Sequence, residues 1–337
     1  MFRIQLEGAA GDFACHADDT VLRAGLRAGL AMPYECNVGS CGTCKFELLQ
    51  GEIHNLREDA PGLSARDRAK GRLLGCQARP LGDCTIKLRL DNACRPTVPP
   101  AMRLAELTEA RDLTHDIREF RFRAQGHARF QPGQYALLHL PGVTGPRAYS
   151  MSNIANVDGH WHFQIRRTPA GAATGILFDH LRVGDHIEVD GPYGIAYLRT
   201  DVPRDVVCIA GGSGLAPMLS IARGLADSEV MQERRLHFFY GARTPRDICG
   251  EELLRQLPEF GERIAYHATV SDAAAGDTPW HGNTGFVHEL VRDTLMPALS
   301  DYEFYLAGPP PMIEAIEHLL LVENGVPPGQ VHFDRYF

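Results

Sequence analysis

The chain of 337 residues is predicted to combine an α+β domain, an antiparallel β-barrel and an α/β domain with a parallel sheet. Three observations predict this. A loop rich in cysteine and glycine interrupts strand- and helix-type segments in residues 1–90, short β-type runs alternate with turn residues from about 101 to 200, and strands alternate with helices from 205 onward. We expect domains at 1–92, 102–202 and 203–337, with a linker at 93–101.

Composition excludes several classes of protein. A charged fraction of 23% with 44% hydrophobic residues is typical of a globular chain, and the net charge of −8 disfavours nucleic acid and anionic lipid as partners. Glu7 and Gly8 stand where a signal peptide needs apolar residues, and no uncharged apolar run of about 18 residues follows. We therefore expect a cytoplasmic protein without a membrane partner. Its nine cysteines should be reduced thiols or metal ligands.

The first domain is predicted from short apolar patterns. Residues 2–6 form a strand pattern, and 45–49 and 85–90 form two more. Leu22, Leu26 and Leu30 follow one face of a helix, which Asp19 or Thr20 can cap. Residues 91–100 contain three prolines and no apolar period, which indicates a linker.

Four cysteines in the first domain have the spacing of a plant-type 2Fe-2S centre. Cys36, Cys41 and Cys44 follow the pattern C-x4-C-x2-C, and Cys76 stands alone downstream. The residues between them are small, so the loop can wrap closely around a cluster. A structural zinc site is the alternative, although zinc ribbons usually bring a second close pair. No ligand role is assigned to the other cysteines, which are Cys15, Cys84, Cys94, Cys208 and Cys249.

The remaining elements follow two patterns. Strands at 118–123, 134–140, 160–166 and 186–189 lie between Pro-Gly turns and predict the barrel. Strands at 205–210, 236–240, 264–270 and 303–306 alternate with helices at 217–225 and 312–322 and predict the parallel sheet.

A glycine-rich turn follows the strand at 205–210. Gly211, Gly212 and Gly214 precede Pro217, which can begin a helix because its missing N–H would be unpaired there. The order strand, glycines, helix is what a dinucleotide pyrophosphate requires. We predict a nucleotide site at this turn.

The sequence Arg147-Ala148-Tyr149-Ser150 resembles the flavin motif of the ferredoxin–NADP reductase superfamily. The resemblance implies that Arg147 meets the flavin pyrophosphate, Tyr149 packs on the isoalloxazine and Ser150 approaches flavin N5. It implies a second phosphate contact where Gly171 and Thr174 open a helix. Gln164 and Arg166 would then lie beside the flavin ribose, although a solvated strand end is an equal interpretation of Arg166.

Residues 307–312 resemble the Cys-Gly-Pro-Pro-x-Met motif of the same superfamily, with Ala307 in place of cysteine. Gly308 and Pro309 would form a turn at the end of a parallel strand, where ligands bind in such sheets. In relatives a C-terminal aromatic ring lies against the flavin, which implies this role for Phe337. Phe333 and Phe337 can equally fill the hydrophobic core. Asp247 is the nearest acid for a nucleotide ribose, and the resemblance implies NADH rather than NADPH.

A closer resemblance covers essentially the whole chain. It is to the reductase component of toluene monooxygenases, which are soluble diiron multicomponent enzymes, and it rests on residues 33–37, 46–52, 59–63 and 332–337. It implies a β-grasp ferredoxin-like domain, a flavin-binding barrel and a Rossmann-like nicotinamide domain. Electrons would pass from NADH through FAD and a 2Fe-2S cluster to a Rieske-type ferredoxin. Glu35, Asn37, Val38 and Lys45 are the candidate docking contacts, and ordinary loop residues are an equal interpretation of them.

Two alternatives stay open at this point. The reductase of a Rieske ring-hydroxylating dioxygenase shares the domain order and the motifs. A noncatalytic redox-sensing or zinc-stabilised binding module is an alternative of another class.

Overall fold

The computed structural model describes residues 1–8, 11–275 and 279–335. The chain forms two compact units. The first comprises Met1–Met102, Pro146–Ala148 and Asp190–Ile195, and the second comprises Arg103–Gly145, Tyr149–Val189 and Ala196–Phe337. Within the described ranges, no helix combines the length and the apolar character needed to cross a bilayer.

Residues 1–100 form a mixed sheet with short helices. The sheet has the order β2-β1-β7-β3-β5, in which β1 and β7 are parallel and the other neighbouring strands are antiparallel; β4 and β6 pair separately. Its elements are β1 Phe2–Leu6, β2 Asp12–Cys15, α1 Val21–Arg27, β3 Lys45–Gln50, β4 Ile53–Asn55, α2 Ala65–Ala69, β5 Arg72–Leu74, β6 Ala78–Pro80 and β7 Cys84–Lys87.

Helix α1 begins as the sequence predicts and ends earlier. The Thr20 hydroxyl caps it by accepting a hydrogen bond from the Arg23 N–H at 3.4 Å, and Leu22 and Leu26 are fully buried. The helix ends at Arg27 rather than near Leu30, because Gly29 takes a left-handed φ of +78°.

The predicted linker begins as ordered structure. Cys94 is buried, the Asp91 N–H donates to the Ala31 carbonyl at 2.8 Å, and the Arg95 guanidinium donates to the Gly29 carbonyl at 3.1 Å. These contacts attach its first residues to the first unit. The boundaries proposed for the three domains stay a prediction.

Residues 101–200 form a six-stranded sheet around an aromatic core. The order is β11-β10-β13-β8-β9-β12, and Phe120, Phe122, Trp161 and Phe163 are fully buried in the core. The elements are β8 Ala101–Asp112, β9 Ile117–Ala124, β10 Tyr135–His139, β11 Arg147–Ser150, β12 His160–Arg166, α3 Ala172–Gly175 and β13 His186–Tyr193. A π-type turn at Ile176–His180 continues α3. The sequence did not predict β8, since only Ala105 and Leu107 are buried in this charge-rich strand.

Residues 205–335 form a parallel six-stranded sheet with helices on both faces, in the order β17-β16-β15-β14-β18-β19. Because both faces are covered, strands such as β14 are almost wholly apolar. The elements are β14 Asp205–Gly211, α4 Leu215–Asp227, β15 Leu236–Ala242, α5 Glu251–Leu254, β16 Ile264–Val270, β17 Asn283–Thr284, α6 Val287–Leu295, β18 Tyr302–Gly308, α7 Pro310–Glu317 and β19 Val331–Arg335. This is the predicted parallel sheet, and α4 begins two residues before Pro217.

Candidate functional site

The four predicted ligand cysteines lie together in the first unit. Cys36, Cys41 and Cys44 are in the loop between α1 and β3, and Cys76 is in the turn Gly75–Gln77. The Sγ atoms of Cys44 and Cys76 are 3.4 Å apart. Backbone N–H groups point at the sulfurs: those of Ser40 and Cys41 donate to Cys36 Sγ at 3.3 Å each, and that of Thr43 donates to Cys41 Sγ at 3.5 Å. Thiolates with inward-pointing N–H groups suit an iron–sulfur cluster.

The cysteine loop is held by a backbone-to-backbone contact. A Cβ atom on Gly42, whose φ is +80°, would lie 2.2 Å from the Gly62 carbonyl oxygen, and one on Gly62 would lie 2.6 Å from the Gly42 nitrogen. The Gly62 N–H also donates to the Gly39 carbonyl at 3.0 Å. Only glycine allows this close approach, so these small residues shape the cradle.

Two of the thiols are shifted toward the thiolate form. The hydrogen bond from Cys36 lowers the pKa of Cys41 to about 5. The Cys44 thiol donates to Cys76 and lowers the pKa of Cys76, while the pKa of Cys44 is raised. The thiolate is the form that binds iron or zinc.

Arg23 is a residue of this site that the sequence did not reveal. Although it lies on helix α1 among the predicted apolar positions, it is only 5% exposed. Its Nε donates to Asn37 Oδ1 at 3.2 Å and its Nη2 donates to the Asn37 carbonyl at 3.3 Å. Its charge also lowers the pKa of Cys76. Nothing in the sequence next to Arg23, where Leu22 precedes it, indicates that the helix buries a cation.

The same contact corrects one docking prediction. Asn37 is 1% exposed and its side chain faces Arg23, so it is not available to a partner protein. Glu35, Val38 and Lys45 are half-buried in the first unit. The Glu35 carboxylate accepts a hydrogen bond from the Thr43 hydroxyl at 3.1 Å, and Lys45 pairs with Asp67 at 3.2 Å.

The predicted flavin motif forms the edge strand β11. Arg147 is exposed, Tyr149 is half-buried against the barrel core, and Ser150 is 8% exposed. An accessible guanidinium suits a phosphate, and a half-buried phenol offers a flat face with a polar tip. These residue types fit a flavin nucleotide along this strand.

Two further predicted flavin contacts, Thr174 and Gln164, lie in the second unit and make hydrogen bonds to other residues of the protein. The Thr174 hydroxyl lies 3.2 Å from the Thr168 carbonyl and 3.3 Å from the Gly171 carbonyl, which share its one proton, and it accepts from the Thr168 N–H at 3.2 Å, so it closes the loop before α3. Gln164 is buried; its Nε2 donates to Glu119 at 3.3 Å, and no described residue donates to its Oε1. That oxygen is a buried acceptor that a ligand can satisfy.

The two predicted nucleotide motifs meet at the ends of β14 and β18. A Cβ atom on Gly214 would lie 1.9 Å from the Ala307 carbonyl oxygen, and one on Gly308 would lie 2.6 Å from the Met312 Cε. Gly211 likewise faces Met312, and Pro309 caps α7. Pro217 is the third residue of α4 rather than the first, and its missing N–H still falls in the unbonded first turn. The turn exposes backbone at the carboxyl edge of the sheet, where nucleotides bind.

The remaining predicted residues are placed as follows. Arg166 lies at this nucleotide turn, with Nη1 3.5 Å from the Cβ position of Gly212. Asp247 follows β15 in the turn Pro245–Asp247, where its Oδ2 accepts from the Thr244 N–H at 2.9 Å. Phe333 packs against the core beside the parallel sheet. Phe337 lies outside the described residues.

Comparison with protein families assigns three regions. Residues 4–81 match the 2Fe-2S iron–sulfur cluster binding domain, residues 104–197 match the oxidoreductase FAD-binding domain, and residues 208–318 match the oxidoreductase NAD-binding domain. These matches confirm the predicted cofactors and fold class. They also favour an iron–sulfur cluster over zinc at the four cysteines.

Similar proteins are reductases of oxygenase systems. The chain is 40% identical to the ferredoxin–NAD(P)+ reductase CarAd of Metapseudomonas resinovorans over 100% of both chains. It is 39% identical to the ferredoxin–NAD+ reductase component of the alkene monooxygenase system of Xanthobacter autotrophicus, over 96% of this chain and 97% of that protein. A solved structure described as the ferredoxin reductase in carbazole 1,9a-dioxygenase is 37% identical, with a TM-score of 0.91 over 100% of this chain and 98% of the other.

Proposed function

Because the chain belongs to the family of ferredoxin–NAD(P)+ reductases, we propose that it transfers electrons from NADH to a Rieske-type ferredoxin of a diiron aromatic monooxygenase. The observation that carries the proposal is the presence of cluster-, FAD- and NAD-binding regions in one chain. When bound, the flavin would supply two-electron hydride chemistry and the cluster would supply one-electron transfer.

In this proposal the chain's own residues bind and orient the cofactors. Cys36, Cys41, Cys44 and Cys76 hold the cluster, and the N–H groups of the loop stabilise negative charge on the sulfurs. Arg147 binds the flavin pyrophosphate through charge-assisted hydrogen bonds. Tyr149 supports the flavin ring, and Ser150 is the hydrogen-bond donor toward N5. No side chain has to act as a general acid or base in hydride transfer.

NADH is the proposed electron donor. Gly211, Gly212 and Gly214 open the turn for its pyrophosphate, and Gly308 and Pro309 shape the opposite wall. Asp247 accepts a hydrogen bond from an adenosine ribose hydroxyl, which disfavours the extra phosphate of NADPH. The name of the alkene monooxygenase relative, a ferredoxin–NAD+ reductase, supports this choice. Equal kcat/KM for NADH and NADPH would contradict it.

The route through the cluster is tested by Cys76→Ser. Cys76 is fully buried, and its loss removes one of four cluster ligands. We expect NADH-dependent reduction of a Rieske ferredoxin to fall below about one-hundredth of the wild-type rate, with ferricyanide reduction from the flavin nearly unchanged. Stopped-flow absorbance with each acceptor measures both rates.

Cys84→Ser is the matched control, because Cys84 is a buried free thiol of the same unit outside the ligand set. It should leave both activities in place. If Cys76→Ser protein that retains its flavin loses ferricyanide reduction as well, electrons do not follow this linear route.

Two classes of Rieske ferredoxin are candidates for the electron acceptor, and one observation favours each. The similarity to an alkene monooxygenase component supports a monooxygenase ferredoxin, and the solved carbazole dioxygenase reductase supports a dioxygenase ferredoxin. We expect faster reduction of a Rieske ferredoxin from a diiron aromatic monooxygenase than of a ring-dioxygenase ferredoxin at equal salt. A transient redox interface is small, usually below about 1,200 Å², so few contacts decide the preference. The opposite preference would assign the chain to a dioxygenase system.

A further inference from the structure

The turn between β8 and β9, residues 113–116, reaches the nucleotide end of the parallel sheet. It belongs to the barrel sheet, and it is fixed by its own hydrogen bonds. The Leu113 N–H donates to the Ile117 carbonyl at 2.8 Å, and the Thr114 hydroxyl accepts from the Ile117 N–H at 3.0 Å. The Asp116 carbonyl also accepts from the Arg167 N–H at 2.7 Å, which ties the turn to the end of β12. The turn is therefore a firm support for its side chains.

The Asp116 carboxylate holds Arg166 by the inner nitrogen of its guanidinium. Oδ2 accepts from Arg166 Nε at 2.6 Å, while Oδ1 accepts from the Thr114 hydroxyl at 3.0 Å. Asp116 is 19% exposed and Arg166 is 50% exposed. Both carboxylate oxygens therefore accept hydrogen bonds, and the bond to Nε fixes the orientation of the Arg166 side chain.

Held in this way, Arg166 presents its outer nitrogens to the glycine turn. Nη1 lies 3.5 Å from the Cβ position of Gly212, and neither Nη atom donates a hydrogen bond to a residue in the described part of the chain. Gly212 is the residue with positive φ, +57°, at the start of the turn proposed for the dinucleotide pyrophosphate. A guanidinium fork in this position matches phosphate oxygens.

The same turn also extends toward the proposed ribose partner. His115 Nε2 is 3.7 Å from Asp247 Oδ1 and 3.8 Å from Asp116 Oδ2. The Thr244 N–H and hydroxyl both donate to Asp247 Oδ2, so Oδ1 is the oxygen that faces His115. Residues 113–116 therefore lie along the site from the pyrophosphate turn to the ribose acid.

We propose that Asp116 is a positioning residue for the nicotinamide nucleotide, holding Arg166 so that its outer nitrogens face the pyrophosphate at Gly212. This proposal rests on the proposed function and assigns Arg166 to the nicotinamide nucleotide rather than to the flavin ribose. Asp116 itself does not touch the nucleotide.

Two effects of Asp116 on an anionic ligand oppose each other. Its negative charge repels a pyrophosphate, but the charge is paired with Arg166 and partly screened by solvent. Its hydrogen bond removes the rotational freedom of a long side chain, and a fixed guanidinium loses less freedom when it binds. The proposal requires the second effect to exceed the first, so removal of Asp116 should weaken binding.

The test compares Asp116→Ala with Asp179→Ala. Asp179 is a matched control because it pairs with the neighbouring Arg167 at 2.7 Å, also at the surface of the second unit. We expect Asp116→Ala to raise the KM for NADH about tenfold with kcat within about twofold, and to raise the Kd of ADP-ribose by a similar factor in calorimetric titration. Asp179→Ala should change neither. Asp116→Asn keeps an acceptor oxygen and should recover part of the loss.

Three outcomes distinguish the possible failures. If Asp116→Ala binds ADP-ribose as tightly as the wild type or more tightly, the positioning role is wrong. If Asp116→Ala and Arg166→Ala lose flavin while the KM for NADH is unchanged, Arg166 serves the flavin, and the proposal is again overturned. If the wild-type protein does not oxidise NADH at all, the proposed function itself fails. Under the proposal, the Asp116→Ala/Arg166→Ala double variant is no worse than Arg166→Ala alone.

Discussion

Gly214→Ala is expected to slow NADH oxidation by about 100-fold, because a shift of roughly 1 Å at a reacting site has effects of this size. The added methyl group would lie 1.9 Å from the carbonyl oxygen of Ala307 and 2.5 Å from its carbon. These are backbone atoms of strand β18, which cannot turn away as a flexible side chain can. The glycine turn and the end of β18 must therefore move apart, and the nucleotide cradle changes shape. NADH-dependent ferricyanide reduction measures the loss.

Gly329→Ala is the matched control for this substitution. Gly329 lies in the same unit, and a Cβ atom there would meet no heavy atom within 4 Å. This variant should have the activity and flavin content of the wild type. If Gly214→Ala is equally harmless, then the close contact with Ala307 does not constrain the nucleotide site.

Arg27→Met is expected to destabilise the first unit by about 3–5 kcal/mol, because it leaves a buried carboxylate without its cation. Asp190 is fully buried and accepts from Arg27 Nη2 at 2.9 Å. Tyr193 is the third member of this hydrogen-bonded group: its hydroxyl donates to Asp190 at 2.9 Å and accepts from Arg27 Nη1 at 3.2 Å. Methionine keeps most of the apolar stem of the side chain, so the loss reports chiefly on the charge. Urea unfolding followed by circular dichroism and by the visible absorbance of the cluster measures it.

Lys87→Met provides the comparison in the same unit. Lys87 pairs with Glu7 at 2.9 Å, and the two side chains are 58% and 45% exposed. An exposed pair contributes at most about 1 kcal/mol. If the two substitutions lower the free energy of unfolding equally, then burial does not increase the contribution of the Arg27–Asp190 pair to stability. Combining Arg27→Met with Asp190→Asn should restore part of the stability, since the buried charge is then absent.

The features that the sequence predicts well depend on local constraints. The ligand cysteines have a fixed spacing, and the glycines of the nucleotide turn are needed where backbone meets backbone. Apolar strands covered on both faces, such as β14 and β18, stand out because nearly every residue is buried. Thr20 identified the start of α1 because capping is a local hydrogen bond.

The features that it did not predict depend on contacts between distant segments. Strand β8 has only two buried residues, and its pairing with β9 is set by the sheet rather than by its own pattern. Arg23 and Asp190 are buried ions whose partners, Asn37 and Arg27, lie outside any local window. The bond between Asp116 and Arg166 spans 50 residues. Only the assembled sheets bring such pairs together.

The contact between Gly42 and Gly62 has a consequence for the kinetics of electron transfer. Every change in charge within a redox centre requires the surrounding dipoles to respond, and the size of that response is the reorganisation energy. In this loop the N–H dipoles are fixed in place by close-packed backbone before any charge arrives. We therefore expect these dipoles to move little when a bound cluster changes its charge, which would keep their contribution to the reorganisation energy small.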